Sequence, residues 1–374
     1  MRVAMAVRDA RSLSGVSGFA AVLAAGAAAA GHEVVFLSRR PPEDLGPRVR
    51  PVRVGWVPLT SYLRAWSFDI AARRHARRLK ADLLHGHGDL TSQDILTVHN
   101  VDAAEAEASG RRTVGSSGTL FVRSRQFRPG AARLILTVSQ RARRDLERHY
   151  GVDPSRVRVI RPGVDASRFS PEGRDEARLS LRKALSLSPD ARIVLSMISG
   201  DARRRNIDGL LEGFARAKLP AGTVLLVVGD PDALARPAAA ALLARKALKT
   251  MPKTRGPEAV YRGADAFVLA AHYETFGLTA LEAGACGLPL VVTAACGVAE
   301  ALEDGEDALL LPESRDPDSL ARALERLCCD DGEAERLARG ALTTARRLSW
   351  DSTVKEHLAV YDEIFDEKRR TAAA

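Results

Sequence analysis

The sequence predicts an α/β protein made of two doubly wound parallel-sheet domains. Three observations carry this reading. The chain has 374 residues, enough for two domains of ordinary size. Short apolar runs alternate with longer helical stretches in both halves, the order that feeds parallel sheets. No internal repeat joins the halves, so the second is not a copy of the first.

Taken in order, Val3–Val7 is a first strand, and Ser14-Gly15-Val16-Ser17-Gly18 opens a helix. Glycines there let backbone approach a ligand closely; a plain strand-to-helix turn fits equally well. The run Phe19–Gly31 follows Arg8 and Arg11 and has the look of a signal peptide. It lies between Val3–Val7 and the strand His32–Leu37, however, and strand, Ala-rich helix, strand is a βαβ unit. Val52–Val57 reads as a third strand. Arg64–Lys80 is a basic amphipathic helix, with Trp66, Ile70 and Leu79 toward one side and Arg73, Arg74, Arg77, Arg78 and Lys80 supplying charge. Such a helix can lie on an acidic membrane surface; an ordinary surface helix of an Arg-rich protein is the commoner case. Asp82–His87 comes next, and the strand Ile95–Asn100 runs into His99. Ligand sites of α/β sheets form at such strand ends, although a single histidine there is more often structural.

Residues 101–132 match no pattern; Arg111, Arg112, Arg123, Arg125 and Arg128 fit a mobile acceptor loop or solvated surface. No helix-turn-helix or aromatic pattern accompanies the charge, so nucleic acid is not an expected partner. Leu134–Val138 is a strand, Ser139 an N-cap for a helix to Tyr150, and Val157–Asp165 a strand and turn. The polar stretch Pro171–Asp190 leads into the second domain. There Ile193–Ile198, Val224–Val228 and Ala266–Ala270 are buried strands, with Arg203-Arg204-Arg205-Asn206 at the start of the helix after the first. Tyr273–Val292 then reads loop, helix, loop, strand. An incoming helix N-terminus near Gly277 is a natural phosphate seat. Glu274 would sit on the loop at its mouth and Glu282 about two turns along. Trp350–Arg370 is a final helix.

Charge is uneven. Residues 1–165 hold 27 Lys and Arg against 15 Asp and Glu, or +12, while the rest holds 29 against 32, or −3. A basic first half suits an anionic acceptor or membrane surface. The four cysteines, Cys286, Cys296, Cys328 and Cys329, form no C-x-x-C pair, so neither a zinc site nor a disulfide framework is expected. A reducing, cytoplasmic location fits, with peripheral contact at the inner face of the membrane as a variant. No apolar run reaches the ~18 residues of a membrane span.

Glu274, Phe276, Gly277, Leu278, Glu282, Ala283, Gly287 and Pro289 stand as in an E-x-F-G-L-x-x-x-E-A-x-A-x-G-x-P string. This resembles the E-x7-E motif of the retaining glycosyltransferases of family 4. His85 and His87 resemble that family's D-x-x-H-x-H strand end, His99 its T-x-H end, and Val159–Phe169 its interdomain stretch with Pro162 at the usual asparagine. The loop at Gly15 resembles the glycine loop before the family's first helix, with Ser14 in place of a first glycine. Gly200-Asp201…Arg204-Arg205-Asn206 is similar to the branch holding lipopolysaccharide core glucosyltransferases, with Arg205 where lysine is usual. The segment that frames the nucleotide base is shortened to about Thr250–Pro257. The likeness covers most of the chain, strongest at 133–169 and 192–311.

The resemblance implies the GT-B fold, two Rossmann-like domains with the active site in the cleft between them. Its domains would be an acceptor-binding 1–168, a nucleotide-sugar-binding 169–348, and a helix 349–374 returning toward the first. It implies retaining, metal-independent transfer of a hexose-type sugar from a nucleotide-diphospho-sugar, UDP-sugar before GDP-mannose, to a glycan, glycolipid or small-molecule hydroxyl. Glu274 and His99 would be catalytic. Gly15, Arg204, Arg205, Phe276, Gly277, Leu278 and Glu282 would bind the donor, and His87 the acceptor. No metal or other cofactor is expected. A non-catalytic sugar-nucleotide or glycan-binding protein, and an epimerase or phosphorylase on the same architecture, are the alternatives.

Overall fold

The computed structural model describes residues 1–10, 15–42, 45–112, 115–198, 201–229, 231–254 and 256–373. Arg11, Ser14 and Gly200, all part of the sequence expectations, lie outside the described residues. In chain order the elements begin β1 (Arg2–Ala6), α1 (Val16–Ala29), β2 (Glu33–Ser38), β3 (Val49–Arg53), α2 (Ser61–Arg78), β4 (Leu83–Gly86) and β5 (Ile95–Val98). Then come α3 (Asp102–Ala108), α4 (Ser117–Gln126), β6 (Leu134–Thr137), α5 (Gln140–Tyr150), β7 (Val157–Val159), α6 (Arg174–Ala184), β8 (Ile193–Met197) and α7 (Ile207–Arg216). The rest are β9 (Val224–Val228), α8 (Ala240–Ala244), β10 (Leu248–Met251), α9 (Pro257–Gly263), β11 (Ala266–Leu269), α10 (Leu278–Ala285), β12 (Leu290–Thr293), β13 (Leu309–Leu311), α11 (Pro317–Cys329), α12 (Asp331–Arg347) and α13 (Trp350–Ala373).

The chain divides into two compact units. One comprises Met1–Ala106, Arg111–Pro162 and Trp350–Ala374; the other comprises Glu107–Gly110 and Gly163–Ser349. In the first, the described residues form a wholly parallel sheet ordered β3-β2-β1-β4-β5-β6-β7. Met5 stands opposite Phe36 on one side and His85 on the other. Apolar residues on both strand faces explain why these segments read as continuous runs rather than alternating ones. One face packs Phe19, Leu23, Ala24 and Ala27 of α1 with Val360, Tyr361 and Ile364 of α13. The other packs Phe68, Ala72 and Ala76 of α2 against Ala4, Val35 and Leu37.

In the second unit the order is β10-β9-β8-β11-β12-β13, again wholly parallel. Both orders reverse direction beside their first strand, between β1 and β4 and between β8 and β11. Such switch points open a crevice at the carboxyl ends of the strands, the place where open parallel sheets bind ligands.

Several local expectations are corrected. The third strand is Val49–Arg53, not Val52–Val57; it pairs Val34 with Val49 and Phe36 with Pro51 at the sheet edge, where a proline lacking N–H is tolerated. On α2, Trp66 and Ile70 are 42% and 41% exposed, and the buried face is Ala65, Phe68, Ala72 and Ala76. Phe68 and small residues at helical spacing, not Trp66 and Ile70, meet the sheet. The helix starts three residues earlier than expected, because Thr60 caps it by accepting from Leu63 N. Pro171–Asp190 contains α6, whose inward side carries Leu181 and a buried arginine, Arg182, bound to Asp265 at 2.6 Å. Residues 101–132 contain α3 and α4, the latter capped by Ser116. Ser139 caps α5 as expected, accepting from Ala142 N at 3.1 Å.

Candidate active site

In the second unit the switch point brings the loop after β8 beside the loop after β11. The first loop turns on Asn206, which holds a left-handed φ of 53° and caps α7 by accepting from Gly209 N. Asparagine tolerates that conformation with a local hydrogen bond. Its amide also donates to the Ser314 carbonyl, so the arginines just before it are held from both sides. Arg204 donates from Nη1 to Glu274 Oε2 at 2.6 Å and to the Tyr273 carbonyl at 3.3 Å. Arg205 reaches the same Glu274 oxygen at 2.9 Å. Arg203, third of the run, is exposed.

The second loop is stitched to the one after β12. Glu274 N donates to Ala295 O, Gly297 N to Glu274 O and Val298 N to Phe276 O. Phe276 itself is buried, so its contribution is to fix this backbone. Gly277 caps α10 at φ 108°, and a Cβ there would lie 2.9 Å from Leu269 Cδ2. Only glycine suits the turn, which sets Leu278 as the first helical residue. Glu274, Arg204, Arg205 and the N-terminus of α10 thus come together.

Glu282 lies on α10, half-buried, and accepts from the Tyr261 hydroxyl at 2.8 Å. Burial pushes its carboxyl up to about 7, against the Tyr261 hydrogen bond and Arg168, which favour the charged form. Tyr261 was not singled out from the sequence; its place just ahead of Gly263-Ala264-Asp265 gave no chemical signal.

In the first unit, Gly15 caps α1 at φ 58°. His87 and His99 follow β4 and β5, and the structure brings them together: His87 Nδ1 and His99 Nε2 lie 3.1 Å apart. His99 is half-buried, while His87 is 4% exposed, stacked on His85 at 4.4 Å between centroids. His85 hydrogen-bonds Tyr361 and Thr97 at 2.8 and 2.7 Å. His357 of α13 donates from Nδ1 to the Thr353 carbonyl at 2.7 Å and stacks on His85. Burial and mutual repulsion hold all four imidazoles neutral. His99 is lowered to about 3 and His357, by burial, to about 4; His85 and His87 lie well below the usual histidine range. Beside this cluster Arg123 pairs with Asp102 at 3.0 Å, with Nη1 close over Gly88.

Residues 13–168 match the family model Glycosyltransferase Family 4, and residues 180–343 match Glycosyl transferases group 1. A D-inositol 3-phosphate glycosyltransferase of Thermomonospora curvata is 34% identical over 325 residues, 78% of this chain and 74% of that one. The chain belongs to the family 4, group 1 glycosyltransferases. A protein of the same name from Salinispora tropica is 38% identical over 241 residues, 60% of this chain. That match takes in 50% of the relative, so the chain spans about half the length of some curated relatives. Among solved structures, WaaG, a glycosyltransferase involved in lipopolysaccharide biosynthesis, superposes with a TM-score of 0.80 at 21% identity, covering 96% of this chain and 99% of WaaG. With the two parallel sheets, this gives the family 4 protein the GT-B fold.

Proposed function

We propose that the protein is a retaining glycosyltransferase that takes a hexose-type sugar from a nucleotide-diphospho-sugar, UDP-linked first and GDP-mannose next. The observation that carries this is the convergence of Arg204 and Arg205 on one carboxylate oxygen, at 2.6 and 2.9 Å, beside the N-terminus of α10. Two fixed cations and helix N–H groups are what a leaving diphosphate needs, because its charge grows in the transition state. In this reading Glu282 holds the ribose hydroxyls, Glu274 the donor sugar, and His99 of the first unit orients that sugar. The acceptor attacks from the face the diphosphate leaves, with a donor phosphate oxygen assisting its proton. No protein nucleophile is assigned, and the arginines do the work that a metal does elsewhere.

The acceptor is a hydroxyl of a glycan, glycolipid or small molecule. The names of the curated relatives and the charge of Arg123 beside the histidine cluster support an acceptor bearing a phosphate. Leu59, Tyr62, Trp66 and Ile70 are exposed beside exposed Arg64, Arg74 and Arg77, which supports contact with an acidic membrane surface. Among the described residues no helix is long and apolar enough to cross a membrane. Binding to anionic but not neutral vesicles, lost in Trp66→Glu, is the expected outcome of a flotation assay.

The test of the central reading is the shift in melting temperature with UDP, GDP, ADP and TDP, each with and without EDTA. One nucleotide should stabilise in both conditions, since saturation at 100 times Kd adds ~2.7 kcal/mol. Glu282→Ala should remove the shift; a full shift in that variant defeats the assignment. Product analysis with and without acceptor separates transfer from epimerisation or phosphorolysis.

A further inference from the structure

Glu282 accepts from both hydroxyls of a ribose most strongly when it is ionised, and its surroundings oppose that. The carboxyl is half-buried, on a helix whose neighbours Leu281, Ala283 and Ala285 are buried and apolar. The charged and titratable groups facing it are few. Arg168 comes from the segment after β7, Glu258 and Tyr261 from α9, and Cys286 from the turn that ends α10; Arg205 acts on Tyr261 from the loop before α7. Arg168 is itself paired with Glu258 at 3.0 Å, so its charge is largely answered. What remains is the neutral phenol of Tyr261, donating to Glu282 Oε2 at 2.8 Å.

That phenol is fixed. Tyr261 is 1% exposed, with its ring edge-on to Phe169 and tilted on Phe267 at centroid distances of 6.0 and 5.9 Å. Burial and the adjoining carboxylate keep its hydroxyl protonated well beyond the ordinary tyrosine range, so the donor persists at every working pH. A donor to the charged form of an acid lowers its proton affinity and fixes one oxygen, leaving the other for a ligand.

We propose that Tyr261 is a positioning residue for donor recognition, holding the Glu282 carboxylate ionised and oriented for the ribose hydroxyls. This rests on the assignment of Glu282 to the ribose in the proposed function. Sugar-nucleotide affinity then depends on pH through a residue that need not touch the ligand.

The experiment compares wild type, Tyr261→Phe and Glu282→Gln. Phe keeps the ring between Phe169 and Phe267, and a cooperative melt checks folding. A 13C titration of the Glu282 carboxyl in the wild type should give a midpoint near neutrality, raised by about one unit in Tyr261→Phe. Calorimetric Kd values for UDP and GDP between pH 6 and 9 supply the second readout. The better-bound diphosphate should weaken about tenfold in Tyr261→Phe at pH 6.5 and less than twofold at pH 9. Glu282→Gln should bind weakly with a flat profile. A Tyr261→Phe midpoint no higher than the wild type's overturns the proposal, as does a Tyr261→Phe loss of equal size at every pH. Should Tyr261→Phe not fold, 3-fluorotyrosine at position 261 keeps the ring and strengthens the donor, and it should lower the Glu282 midpoint below the wild type's; an unchanged midpoint overturns the proposal. If Glu282→Gln binds both diphosphates like wild type while the titration behaves as expected, the ribose assignment is what fails.

Discussion

Arg205→Ala is expected to lower donor-dependent turnover by roughly a hundred- to a thousandfold, the usual loss when a preorganised charge facing a transition state is removed. Arg205 is buried and fixed against Glu274 at 2.9 Å. A cation so placed needs no reorganisation when the diphosphate departs. Arg204→Ala should act in the same direction. Arg205→Lys should recover part of the loss, because it restores charge without the planar fork. Glu274→Gln is expected to split the two functions. Its carboxylate competes with the diphosphate for both arginines, so the free nucleoside diphosphate should bind more tightly while sugar transfer falls. Steady-state kinetics and calorimetry read both. Turnover within threefold of wild type in Arg205→Ala, or weaker UDP binding in Glu274→Gln, counts against the arrangement.

The second large effect concerns stability in mild acid. His85, His87, His99 and His357 are neutral in the folded first unit, and each is lowered below its usual 6.5 by burial. Unfolded, each takes a proton near pH 6.5. As pH falls through that value the unfolded state binds more protons, so stability drops until the folded values, about 4 for His357 and about 3 for His99, are reached. Well below pH 6.5 each neutral imidazole costs ~1.4 kcal/mol per pH unit, and between pH 6.5 and 5.5, where the unfolded imidazoles go from half to nearly fully protonated, four together cost ~4 kcal/mol. That is comparable with the whole stability of many domains. Urea titrations of the first unit's transition should show an uptake approaching four protons on unfolding near pH 5.5, and about one fewer in His357→Gln. Uptake below one proton would show that the cluster is hydrated.

Much of the second unit's candidate site was legible because its pattern is local. Glu274 and Glu282 are separated by a loop, a glycine and two helical turns, and the Gly277 turn has one acceptable residue. The strands β8, β9 and β11 were equally plain, since central parallel strands are apolar throughout. Legibility failed where the partner was distant in sequence. The inward side of α6 is held by Arg182 on Asp265 rather than by an apolar stripe, so no periodicity marked it. His357 lies 258 residues from His99, read from their numbers, and nothing in α13 announces a fourth imidazole. The buried face of α2 was not legible, because Trp66 and Ile70 carry the apolar signal while Phe68 and three alanines meet the sheet.

The first unit closes with the last helix of the chain. Val360, Tyr361 and Ile364 complete a core that otherwise belongs to residues before Pro162, and Tyr361 satisfies the buried His85. A ribosome makes the start of that core early and its final wall last. While residues 163–349 are being synthesised, the apolar side of α1 and the His85 imidazole lack the part of their native cover that α13 supplies, and the nascent amino-terminal half cannot reach its finished state until that helix has left the exit tunnel. The order of synthesis therefore favours completion of the second unit before that of the first.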